Sequence, residues 1–317
     1  MYLRHVLGLA AACGLAACGG GGIDPIAPTS TTMVASGNFE EPMDAVASPD
    51  GSMFYFTAHR NDSGVDNQSS AAVFAVSSKG GSAEVLASGG ALEDPSGLLM
   101  SCDGKTLYVA DLSFRPGEED PESDVTKSAL FTLDVASKTL TPLAHDGIAE
   151  AAGLAFDKDC KALYVTGYTP AGTPALFTMS PDGGAATIVK EGLPLESPSG
   201  VYVDVDHVAW VMDQQPSIHL GGALYAIDSA GNASVVVDAL EISEPAGVSL
   251  VAGGKIAVIP SRDLDGQSQL LTVHTETGDQ TIVPATSMIE PAGIRTAIDA
   301  SVMAVVDADG NAIYRAE

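Results

Sequence analysis

The chain has 317 residues, 45% of them hydrophobic, and its 41 acidic residues against 14 basic ones give a formal net charge of −27. So acidic a chain lacks the basic patches that hold phosphate backbones, which excludes nucleic acid as an expected partner. Its aliphatic content is too high for intrinsic disorder, and the excess of acid favours solubility and concentrates cations near the surface.

Residues 1–17 read as a targeting segment. Arg4 and His5 give a basic start, an apolar stretch rich in Leu and Ala follows from Val6, and small residues precede Cys18. The apolar run is too short to span a bilayer. Leu15-Ala16-Ala17-Cys18 resembles the bacterial lipobox. That resemblance implies cleavage before Cys18 and a diacylglycerol on its sulfur, hence a membrane partner through the lipid anchor. An ordinary secretory signal is the alternative. Gly19 stands where an Asp would favour the inner membrane, so the expected location is the cell envelope at the outer membrane. Residues 18–30, with four consecutive Gly and then Pro25 and Pro28, are expected to form a flexible tether.

From residue 31 to 317 one pattern repeats. An acid-Pro-x-Gly signature, or a close variant, opens each copy. Its fourth position falls at Asp44, Gly97, Gly153, Gly200, Gly247 and Gly293, at spacings of 53, 56, 47, 47 and 46 residues. The first apolar run of a copy is followed by a turn such as Asp50-Gly51 or Asp103-Gly104, which suits a tight hairpin. Leu107-Tyr108-Val109 typifies the second run. Ala71–Val76 and Ala223–Ile227 typify the third, and Ala83–Ala87 and Ser234–Val237 the fourth. Runs this short, bounded by Gly, Pro and Asp, are strands. Four antiparallel strands at this period predict an all-β fold, a six-bladed β-propeller. The last copy ends after three runs, and residues 31–36 resemble a fourth strand without a blade. The N-terminal strand is therefore expected to close the sixth blade and remove an exposed edge.

Cys102 and Cys160 lie in the first turns of adjacent copies. An oxidising compartment permits a disulfide between them; the alternative is two thiols that never meet.

Two columns of residues are expected at the propeller face formed by the loops that follow the second and fourth strands. The first column, three residues before the Gly position, is Glu41, Asp94, Glu150, Ser197, Glu244 and Glu290. Convergent carboxylates would repel one another unless raised pKa values, basic partners or a cation relieved them. Ca²⁺ or another divalent cation suits such oxygens. Alternatively each acid serves its own blade by accepting backbone N–H bonds. The second column ends the second strand, with Asp111, Asp213 and Asp307 in alternate copies and His59 and Arg262 nearby. This more variable set is the candidate ligand site, against a reading of solvated strand ends. Leu112–Ser128, with five acids, is a long loop at the same face.

The copies resemble NHL repeats and the senescence-marker-protein/gluconolactonase family over the whole propeller. That family holds a divalent metal through a Glu opening its first blade and through an Asn and an Asp from later blades. Glu41-Pro42 matches the opening Glu. Ser96-Gly97 and Ser199-Gly200 stand where Asn-Gly is required, and Ala246-Gly247 and Ala292-Gly293 where Asp-Gly is. A lactonase or esterase would need another ligand set, such as Glu41, Glu150, Glu244 and Asp213. The leading expectation is a monomeric envelope module that binds a small molecule or an envelope protein; the alternative is a metal-dependent hydrolase.

Overall fold

The structure is a computed structural model that describes residues 24–61, 70–89, 92–112, 129–214, 221–243 and 245–317. Cys18, Glu244 and residues 113–128 lie outside them. No helix among the described residues is long and apolar enough to cross a membrane.

The described residues form six antiparallel sheets in a ring, a six-bladed β-propeller. Blade one runs Ala45–Ala47, Met53–Arg60, Ala71–Ser77 and Glu84–Ser88, with Phe39–Glu40 as an extra segment on its second strand. Blade two runs Pro95–Met100, Thr106–Asp111, Leu130–Asp134 and Thr139–Pro142. Glu150–Phe156, Leu163–Tyr168, Pro174–Met179 and Thr187–Glu191 make blade three. Blade four is Pro198–Val203, Ala209–Asp213, Gly222–Ile227 and Ala233–Leu240. Blade five is Ser249–Val251, Ile256–Arg262, Ser268–His274 and Gln280–Pro284. Pro291–Thr296, Met303–Asp307 and Ala312–Ala316 give three strands of blade six. Thr31–Ser36 supplies the fourth, pairing antiparallel with Ala312–Ala316, as the sequence leads one to expect.

Neighbouring blades bury their faces against each other, so the core is six apolar clusters, one per interface, each drawn from two blades. The sixth-to-first interface holds the aromatic group Phe39, Phe56 and Phe74, with Phe56 and Phe74 stacked at 5.1 Å. The first-to-second turns are built alike in blades one and two. Gly51 and Gly104 take φ of 69° and 71°, where a side chain would be strained. Ser48 Oγ donates to Asp50 at 2.6 Å, and Ser101 Oγ to Asp103 at 2.7 Å. Cys102 and Cys160 form a disulfide that joins the first turns of blades two and three, with Cα atoms 6.4 Å apart. Its sequence separation of 58 corresponds to about 4 kcal/mol of restricted unfolded-chain entropy.

The signature glycine has a steric cause. At the ring axis the innermost strands approach backbone to backbone. A Cβ on Gly247 would lie 2.5 Å from Ile294 N, and one on Gly200 2.9 Å from the Cα of Gly247 and closer still to Ala246 O. Gly97, Gly153 and Gly293 face the next blade in the same way. Pairing slips at these positions in blades two, three, four and six, as in β-bulges. Gly200→Ala is therefore expected to destabilise the fold by about 1–3 kcal/mol, measured by denaturant unfolding, because two backbones must separate to admit one methyl.

Candidate functional site

Blade one carries Asp44 where the other five blades carry Gly. Five glycines leave room for one side chain, and Asp44 occupies it. Its carboxylate accepts the amides of Ala45 and, across the interface, Leu98, both at 2.9 Å. Burial raises its pKa to about 6, with Arg295 and the two amides opposing the shift.

Arg295 lies two residues past the signature Gly of blade six. The same rung in the other blades is Val46, Leu99, Ala155, Tyr202 and Ser249, so Arg295 is its one charged member. Its guanidinium is buried and donates from Nη1 to Val201 O and from Nη2 to Leu154 O, both at 2.9 Å. Nε has no hydrogen-bond partner. Desolvation lowers the pKa of Arg295, opposed by Asp44 and Tyr202.

Arg295 separates two spaces. Towards the signature glycines only a void of about 10 Å³ remains. On the other side a cavity of about 380 Å³ opens at the face of the first-to-second turns. Val46, Leu99, Phe156, Tyr202, Leu250 and Val251 give it apolar walls, and the Cys102–Cys160 disulfide lies beside it. Burial raises the Tyr202 pKa; Arg295 opposes this, while Asp204 and Asp24 add to it.

Part of the presumed tether reaches this mouth. Pro25 O accepts Ala252 N at 2.7 Å, and Asp24 Oδ1 accepts Gly253 N at 2.6 Å. Ile26 N donates to Ser301 Oγ at 3.2 Å, and Thr29 N to Glu317 O at 2.7 Å. Residues 24–30 thus lie along the turn face instead of hanging free.

The residues singled out in the sequence lie at the opposite end of the channel. Asp111, Asp213 and Asp307 are buried and clasp backbone. Asp111 accepts the amides of Glu93 and Asp94, with the shortest contact at 2.9 Å. Asp213 accepts those of Glu196 and Ser197, from 2.8 Å. Asp307 accepts those of Ile289, Glu290 and Gly310, from 2.7 Å. They are not solvated strand ends. They hold the entry to the first strand of their own blade, the role considered for the other column.

In that other column, Glu41 has a φ of 49° and donates its amide to Asn311 Oδ1 at 2.7 Å. Burial raises the Asp94 pKa, with Asp111 and Glu41 adding to the shift and His59 opposing it. His59 Nδ1 lies 2.9 Å from Ser70 Oγ. Glu290 stands 3.8 Å from Arg262 and is raised mainly by burial and Asp309. Glu150 begins the first strand of blade three. Among the described residues, no three His, Cys, Asp or Glu side chains come together as a metal group.

Sequence reading missed the turn-face cavity and Arg295. The available signal was a single Arg at a rung otherwise filled by uncharged residues, in a chain with only 14 bases.

Fold and cavity define a β-propeller with an internal polar plug. No family model matches the chain, and no curated protein matches it. Solved structures match its fold. A gluconolactonase-like protein is 13% identical over 93% of both chains, with a TM-score of 0.62. A structural genomics protein of unknown function from Bacteroides thetaiotaomicron is 14% identical over 92% of this chain and 72% of its own, also at 0.62. TolB from Acinetobacter baumannii is 14% identical over 78% of this chain, with a TM-score of 0.57; the chain covers 55% of TolB.

Two predictions follow from the buried acids. Asp213→Asn should cost about 1.5–3 kcal/mol in chemical denaturation, since it weakens charge-assisted bonds to two amides. For Asp44, the unfolded chain holds the carboxyl at 3.8 and the folded chain at about 6. The folded state therefore binds more protons between these values, and stability falls as pH rises through them. Relative to Asp44→Asn, the wild type should lose about 3 kcal/mol of unfolding free energy between about pH 4 and about pH 7.

Proposed function

We propose that this chain is a lipid-anchored binding module of the cell envelope, at the outer membrane, that takes a small molecule into the turn-face cavity. The observation that carries the reading is the cavity itself: about 380 Å³, apolar-walled, with a buried cation at its floor. Its volume lies within the range of small-molecule sites, and a few polar groups in an apolar concavity are what such sites require. Its concave shape suits a small molecule better than a protein surface.

The anchor supports an orientation. Asp24 stands at the cavity mouth, and only five residues separate it from Cys18. Fully extended, that stretch spans about 20 Å. An acylated Cys18 therefore holds the mouth close to the membrane surface.

The hydrolase alternative has less support. Asp213 is committed to two backbone amides, and Glu290 faces Arg262. Glu244 lies outside the described residues.

Radiolabelled palmitate feeding with membrane fractionation tests the anchor. Wild type is expected to carry label and pellet with membranes, and Cys18→Ser to lose both. Label retained by Cys18→Ser overturns the anchor. Ile298→Trp tests the cavity, because Ile298 lines it yet is 47% exposed. This variant is expected to melt like wild type and to lose the melting shift that apolar small molecules give. Unchanged shifts overturn the site.

A further inference from the structure

We propose that the cavity selects an amphiphilic carboxylate, its head on Arg295 and its apolar body against Val46, Leu99, Phe156 and Tyr202. This rests on the reading of the cavity as the ligand site and adds the chemistry of the ligand.

The first support is the electrostatic state of Arg295. A buried guanidinium is costly unless it is paired and hydrogen-bonded. Here two of its nitrogens donate to neutral carbonyls, of Leu154 and Val201, and Nε–H donates to nothing. Among the described residues, no carboxylate forms an ion pair with Arg295. Asp44, which lines the void on the glycine side with Arg295, accepts the amides of Ala45 and Leu98 with its two oxygens. The charge of Arg295 is thus held in place by backbone carbonyls without a contacting counter-ion. A ligand carboxylate would supply the missing charge, and charge-assisted bonds to a guanidinium are stronger than neutral ones.

The second support is the position of this cation. Arg295 forms the inner end of the cavity, and Val46, Leu99 and Tyr202 share its rung. A molecule that reaches Arg295 must lay its remaining atoms along apolar walls. Burial of each CH₂ there is favourable.

The third support is the rim. Asp24, Asp157 and Asp204 surround the mouth, with Lys158 the one base there among the described lining residues. Their negative field opposes the entry of a multiply charged anion more strongly than that of a single carboxylate. The combination selects one negative charge on an apolar body.

Isothermal calorimetry with three eight-carbon probes tests this on the full chain carrying Cys18→Ser, which lacks the acylation site. The probes are octanoate, 1-octanol and octylamine. Octanoate is expected to bind about tenfold or more tighter than 1-octanol, and octylamine weakest. In Arg295→Met the octanoate preference should vanish while 1-octanol binding persists, because the apolar walls remain. Equal affinity of wild type for octanoate and 1-octanol overturns the carboxylate selection but leaves the cavity as a binding site. Failure of all three probes to bind overturns the cavity reading as well. Because the wild-type comparison needs no substitution at Arg295, an unfolded Arg295→Met leaves it decisive.

Discussion

Everything at the centre of this molecule depends on how closely six strands approach one axis. Five blades meet there without side chains, and the backbone of one blade fills the space where its neighbour's Cβ would be. Such proximity is stable only if the polar backbone atoms it encloses find partners. Asp44 does this for Leu98, Ser199 Oγ does it for Ala246 O at 3.0 Å, and Arg295 does it for Leu154 and Val201. The two buried charges of the axis are therefore products of the same packing. One fills the space that the glycines leave, and the other receives the carbonyls that the strands turn inward.

This arrangement divides the labour between the two ends of the channel. At the signature end, the carboxylates of Asp111, Asp213 and Asp307 are consumed in holding strand entries, and they do so in alternate blades. At the turn end, Val46, Leu99, Phe156, Tyr202, Leu250 and Val251 line a cavity. The rung members Val46, Leu99, Ala155 and Tyr202 line this cavity without filling it. Rigidity and recognition are thus separated along the axis, with Arg295 at the boundary.

The blades, their strand count and the closure by Thr31–Ser36 were legible because each is a repeated or missing member of a series. A signature that recurs six times cannot be mistaken for local chance, and a blade short of one strand points to its substitute. The site was less legible for the opposite reason. Arg295 occurs once, in a run, Ile294-Arg295-Thr296, that carries no motif. The strand-end Asp residues showed that an acceptor was needed there, but a sequence does not say whether its donor is a ligand or an amide of the same blade. The disulfide lay between these cases. The equivalent positions of Cys102 and Cys160 in adjacent blades made the pairing conceivable, while only the distance across the interface decided it. Residues 24–30 look flexible by composition. Their attachment comes from acceptors presented to Ala252, Gly253 and the turn around Ser301, which composition does not register.

Closure by the N-terminal strand sets an order of events. Thr31 pairs with Ala316, nearly the whole length of the propeller away in sequence. A chain synthesised from its N-terminus presents residues 31–36 first and the edge they must cover last. Throughout synthesis both edges are unsatisfied templates for foreign strands. The ring therefore closes only after residues 312–316 have been made, and until then the growing protein is an arc with two adhesive ends. A companion that shields strand edges would matter most at that stage, and truncation by even a few C-terminal residues would leave the arc open for good.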